Sequence, residues 1–148
     1  MSTLLQKWRR YLPDCQRDLC IVNNDNTTKQ PNNMALQATV EALNKKMLAG
    51  EILDAVKMYF AENSSTTDFD GTVMTGKDKH ITKMEGFLGG IANVNGITLH
   101  HAATEGNVSF TEYTFDFDMK DGSKILWHEI IRRVWGNDLI VDEQYFKG

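Results

Sequence analysis

His100, Tyr113, His128, Arg132, Glu143 and Tyr145 are the residues of this chain whose types could do chemistry together. An imidazole gains or loses a proton near neutral pH, which suits acid–base work. A guanidinium held by a carboxylate can grip a ligand oxygen, and a phenol can polarise the same oxygen. The chemistry on offer is proton transfer on a small molecule, with His128 as acid or base and Tyr113, Tyr145 or Arg132 at the oxygen. It calls for no metal and no cofactor. Cys15 and Cys20 add nothing to it: two cysteines with four residues between them, and no nearby histidine, make neither a disulfide framework nor a zinc site and read as free thiols.

Those residues meet only if strands align them. After Gly96 the hydrophobic period becomes two. Residues 97–105, 108–119, 124–135 and 139–146 read as an antiparallel meander, with Thr111, Tyr113, Phe115, Phe117 and Met119 alternating against Glu112, Thr114, Asp116 and Asp118. A two-residue turn at Asp121-Gly122 sets Phe117 against Leu126, Phe115 against His128 and Tyr113 against Ile130. A two-residue turn at Asn137-Asp138 pairs Arg132 with Glu143 and Arg133 with Asp142. A turn at Gly106-Asn107 sets His100 against Tyr113 and His101 against Glu112. The inner face then carries His100, Tyr113, Phe115, Phe117, Leu126, His128, Ile130, Arg132, Val134, Val141, Glu143 and Tyr145. The outer face carries Trp127, Glu129, Ile131, Arg133, Trp135, Ile140, Asp142 and Phe146. A three-residue turn at Lys120-Asp121-Gly122 would swap the faces of residues 124–135.

Helices precede the strands. Leu36, Val40, Leu43, Met47 and Leu48 have helical spacing, and Ala49-Gly50 stops that helix. A second runs over about 51–61 with Ile52, Leu53, Val56, Tyr59 and Phe60 inward. A third covers 76–87 with Ile81, Met84, Phe87 and Leu88 on one side. Residues 63–71 are polar and read as a loop or a short irregular strand. Three helices followed by a meander make an α+β domain over residues 34–148. Ahead of it, Leu4, Leu5, Trp8, Tyr11 and Leu12 suggest a short helix before Pro13. The polar stretch 23–33 reads as a linker, so residues 1–33 form an extension.

The net charge of −4 and pI near 5.5 argue against a nucleic-acid partner, which would need a basic face. No apolar run approaches the roughly 20 residues of a membrane span, and no secretion signal opens the chain, so a cytoplasmic setting is expected.

The stretch Leu43-Asn-Lys-Lys-Met-Leu-Ala-Gly-Glu51, then Val56-Lys-Met-Tyr-Phe60, then Gly76-Lys-Asp78, and the closing Trp135-Gly-Asn-Asp-Leu-Ile-Val-Asp-Glu-Gln-Tyr-Phe146, resemble the nuclear transport factor 2-like superfamily, with its SnoaL-like branch nearest. The resemblance covers residues 35–148. It implies a cystatin-like cone: three helices packed in the concave face of a strongly curved, mostly antiparallel sheet. It implies a conical cavity for a small apolar or amphipathic ligand, and a dimer. Ketosteroid isomerases place a general-base aspartate after the second helix, where Asp68 matches by type. The positions of their oxyanion donors fall near Leu43 and near Ile130 or Ile131, which cannot donate. The aspartate of SnoaL-like cyclases falls near Tyr145. These readings make Asp68 and His128 the candidate catalytic residues. Tyr59, His100, Tyr113, Phe115, Arg132, Glu143 and Tyr145 are the candidate substrate contacts. The function expected is a cofactor-independent isomerase, cyclase or dehydratase acting on a small apolar carbonyl compound, or else a non-catalytic binding module. A homodimer would bury the outer-face residues Trp127, Ile131, Trp135, Ile140 and Phe146.

Overall fold

Leu36, Val40, Leu43 and Met47 recur every three or four residues, and all four are buried along one face of helix α1 (Asn33–Leu48) in the computed structural model, which describes residues 33–148. The helix expected before Pro13, the two cysteines and all but the last residue of the linker lie outside the described residues. α1 stops where the sequence asks it to. Gly50 is left-handed at φ 77°, its amide donates to the Met47 carbonyl at 3.0 Å, and the Glu51 amide donates to the Lys46 carbonyl at 2.9 Å. These two bonds satisfy carbonyls that the helix end would otherwise leave bare.

α2 (Ile52–Tyr59) buries Ile52, Ala55 and Val56, then runs straight into strand β1 (Phe60–Thr67). β2 (Val73–Thr75), α3 (Lys77–Gly89), β3 (Ile91–Glu105), β4 (Val108–Met119), β5 (Lys124–Gly136) and β6 (Leu139–Lys147) follow. They form one six-stranded sheet in the order β2-β1-β6-β5-β4-β3. Every pairing is antiparallel except β1 with β6. Bulges interrupt the pairing of β3 with β4, of β5 with β6 and of β1 with β6, and bulges bend and twist the strands that carry them. The helices pack on one face. There Tyr113, Phe115, Phe117, Ile131, Trp135 and Ile140 join the α1 and α2 side chains in a single core. This is the α+β architecture expected, with two additions. The polar stretch after α2, read as a loop or a short irregular strand, completes strand β1, which pairs with β2, and β3 begins six residues before the expected position 97.

Two turns correct the faces. The β4–β5 turn has three residues, Lys120 to Gly122: the Met119 amide donates to the Ser123 carbonyl at 2.8 Å, and Gly122 is left-handed at φ 86°. Asp121 sits mid-turn and accepts from the Ser123 amide at 2.9 Å and from its hydroxyl at 2.6 Å. Phe117 therefore faces Ile125, Phe115 faces Trp127 and Tyr113 faces Glu129. Because side chains alternate, that one-residue shift turns every residue of β5 over. At β5–β6 the two-residue turn stands, with Asn137 and Asp138 both at positive φ. A bulge at Val141 then moves the register, so Arg133, not Arg132, lies opposite Glu143. On β3, His101 does face Glu112. The bulge at His100 sets Leu99 opposite Tyr113 and leaves both histidines exposed on the outer face.

Candidate functional site

Between the helices and the inner sheet face lies a cavity of about 420 Å³, a size that suits a small molecule. Its wall is mostly apolar, built from residues such as Leu43, Val56, Phe87, Phe115, Phe117 and Trp127. Phe87 stacks on Trp127 with ring centroids 5.5 Å apart. Phe69, in the turn between β1 and β2, meets Trp127 edge-on at 6.1 Å and is 42% exposed, so it marks the opening. Beside it Lys83 of α3 donates to Asp68 at 2.6 Å, with both side chains over a third exposed.

The polar end of the cavity is buried. Arg133 Nε donates to Glu143 Oε2 at 2.6 Å, with both side chains at or below 3% exposure. The Tyr145 hydroxyl donates to the other Glu143 oxygen. His80 of α3 stacks on Phe60 with centroids 4.9 Å apart and brings Nε2 to 4.0 Å from Glu143 Oε1. Burial pushes the His80 pKa down, against the pull of Glu143, and it raises Tyr145 well above the usual phenol range. Arg133 Nη1 and His80 Nδ1 are buried without a hydrogen-bond partner.

Glu129 is the outlier. It lines the cavity, is 6% exposed, and forms no hydrogen bond or ion pair among the described residues. Burial raises its pKa to about 7; Glu143 and Asp68 push the same way and Arg133 opposes them. A carboxyl poised near neutrality in an apolar cavity can both give and take a proton. Among the described residues no group of three or more histidine, cysteine, aspartate or glutamate side chains is arranged to hold a metal ion. No described helix is long and apolar enough to cross a membrane.

Of the residues singled out from sequence, Asp68, Phe115, Glu143 and Tyr145 line this cavity. Asp68 does so as half of an exposed ion pair at the opening. Tyr113 is fully buried but gives its hydroxyl to Asn44 of α1 at 2.6 Å, and burial lifts its pKa to about 12, so it ties helix to sheet. Tyr59 packs edge-on against Trp135 at 6.5 Å, away from the cavity. His100, His128 and Arg132 are corrected to the outer face. There His128 bonds Glu112 at 2.7 Å, His100 bonds Thr114 at 2.8 Å, and Arg132 reaches Asp142 at 3.2 Å. The reverse correction applies to the expected dimer patch. Trp127 and Ile131 line the cavity, Trp135 and Ile140 are core, and only Phe146 is exposed. Glu129, Arg133 and His80 were the residues missed. The signal for the first two was present in the swapped parity of β5, which puts Trp127, Ile131 and Trp135 inside with them.

Neither a protein-family model nor a curated protein matches the chain. Solved structures do. A Mesorhizobium loti protein described as a SnoaL-like polyketide cyclase superposes with a TM-score of 0.68 at 17% identity, covering 75% of this chain and 97% of that one. A Mycobacterium tuberculosis epoxide hydrolase of the LEH-like kind gives 0.64 at 14% identity, over 80% of this chain and 86% of that one. A Catenulispora acidiphila protein with a ketosteroid isomerase-like fold, in complex with trimethylamine, gives 0.60 at 19% identity, over 73% and 83%. The chain therefore shares its fold with proteins described as SnoaL-like, ketosteroid isomerase-like and NTF2-like. At these identities the likeness speaks for architecture and leaves the chemistry to the cavity.

Proposed function

We propose that the chain is a cofactor-independent enzyme of the isomerase, cyclase or dehydratase kind, moving a proton on a small, largely apolar carbonyl compound. The carrying observation is Glu129: buried, unpaired, open to an apolar cavity, and held near neutrality by its surroundings. Glu129 takes the acid–base role that sequence alone gives to Asp68 or His128. Asp68 is neutralised by Lys83, and His128 is on the other side of the sheet. The Arg133–Glu143–Tyr145 chain holds the polar end rigid and charged. Incubation with a cyclic ketone in heavy water, followed by NMR, tests this. The wild type should speed exchange of the protons beside the carbonyl, and Glu129→Gln should abolish the acceleration. Ketone binding without faster exchange would instead support a non-catalytic binding module.

Assembly as a homodimer also belongs to this reading, through a corrected surface. Phe110, Ile130 and Phe146 are exposed on neighbouring strands of the outer face, with Ile130 paired to Phe146. Ile130→Glu should convert a dimer to a monomer on light scattering. A wild type already monomeric would exclude that surface.

A further inference from the structure

The charges around Glu129 restrict what it can meet. The carboxyl groups lining the cavity are Asp68, Asp70, Glu129 and Glu143, and the cations are Lys83 and Arg133. Both cations are already committed, Lys83 to Asp68 at 2.6 Å and Arg133 to Glu143 at 2.6 Å. Each cation is thus balanced by a carboxylate, although Arg133 Nη1 keeps a donor without a partner, and Glu129 and Asp70 remain uncompensated by an ion pair, so the lining as a whole is acidic. Other groups do not change this balance. Lys147 stands opposite Glu129 in the β5–β6 register, but its side chain is exposed and makes no ion pair with it. Tyr113, opposite on β4, gives its hydroxyl to Asn44. Tyr145 gives its own to Glu143. His80 is buried with its charged form disfavoured.

An anion brought into this cavity would pass the exposed carboxylates of Asp68 and Asp70 at the opening and, at the buried end, compete with Glu143 for Arg133 beside Glu129, at the cost that incompletely paired buried charge carries. A neutral molecule with an acceptor oxygen has the opposite fate. Protonated, Glu129 is a donor without an acceptor, and a carbonyl oxygen supplies one. We propose that the cavity admits uncharged ligands and turns anions away, and that it holds the ligand's acceptor oxygen through the protonated carboxyl of Glu129, so that binding takes up a proton. This rests on Glu129 facing the ligand, as the proposed function does, but it concerns binding rather than turnover.

Three probes of one skeleton test it: 2-adamantanone, adamantane-1-carboxylate and 1-adamantylammonium. Binding is followed by the fluorescence of Trp127, which lines the cavity, and by calorimetry in two buffers of different ionisation enthalpy. The ketone should bind about tenfold more tightly at pH 6 than at pH 8, as a group titrating near 7 requires. Calorimetry at pH 8 should show proton uptake. The carboxylate should bind at least about tenfold more weakly than the ketone at both pH values. Glu129→Gln keeps a donor and should bind the ketone with an affinity that no longer changes with pH. If that variant does not fold, the wild-type pH series and proton count decide alone. The proposal is overturned if the carboxylate matches the ketone, if ketone affinity is flat with pH, or if the ketone does not bind. It is also overturned if the ammonium binds best and releases a proton. PH-linked ketone binding without isotope exchange would sink the enzymatic reading and keep this one. Isotope exchange with pH-independent affinity would do the reverse.

Discussion

Glu112 and Glu129 sit on adjacent strands of one sheet, on opposite faces, and their carboxyl groups titrate in opposite directions. On the outer face Glu112 accepts from His101 at 2.7 Å and from His128 at 2.7 Å, and those two bonds hold its carboxyl below the usual range. On the inner face Glu129 has no such partner, and burial lifts it to about 7. The chemical group is the same. What differs is access to water and to donors. The outer cluster has the richer set of proton-active side chains, with His100 edge-on to His128 at 5.6 Å as well. Solvent screens it, so its charges are cheap and its geometry carries little energy. The inner face has fewer ionisable groups, and each one is costly. Counting histidines would choose the outer face; weighing desolvation chooses the inner one.

The largest effect should come from breaking the inner ion pair. Arg133→Met leaves Glu143 buried without its guanidinium and should cost about 3–5 kcal/mol in a urea titration. A loss below about 1 kcal/mol would mean that water reaches this end of the cavity and that the two faces are less different than their burial indicates.

Glu129→Gln should act with the opposite sign. The folded-state pKa of Glu129 lies above the ordinary value of 4.5, so between about pH 4.5 and 7 the native chain holds more protons than the unfolded one. Stability contributed by this group is present in acid and falls as pH rises through that window. By pH 8 the ionised carboxylate costs about 3 kcal/mol. The amide variant should therefore be more stable than wild type at pH 8 by roughly that amount and nearly equal to it at pH 4. A stability difference that does not change with pH would show Glu129 to be paired or solvated.

The smallest effect belongs outside. His128→Gln should leave the melting temperature unchanged within error and should leave ketone affinity and isotope exchange as they were, since His128 is 45% exposed and on the far side of the sheet from the cavity. Loss of exchange in this variant would return the acid–base role to the outer face.

The amino-acid pattern by itself determined the elements. The four-and-three spacing of Leu36, Val40, Leu43 and Met47 marks α1, because a helix returns its face at that interval. Gly50 marks its end, because its backbone accepts the left-handed cap. The alternation from Thr111 to Met119 marks β4 and its buried side. The Asn137-Asp138 turn was legible too, as was His101 opposite Glu112. What the pattern could not decide was parity beyond each turn. Asp121-Gly122 looks like a two-residue turn, yet the Asp121 carboxylate binds Ser123 and stretches it to three. One unpaired residue at Val141 then puts Glu143 opposite Arg133. Strand side chains alternate with a period of two, so single-residue events of this kind move His128 and Arg132 out and bring Glu129 and Arg133 in. β1 was only half legible for a related reason. By composition residues 63–71 read as a loop or a short irregular strand, and Ser65, Thr66 and Thr67 become strand because β6, far along the chain, offers them a parallel edge. Local composition sets which segments can be strands. Only the packed sheet sets which side of each strand faces the cavity, and here that choice separates a solvated histidine cluster from a buried carboxyl able to carry a proton.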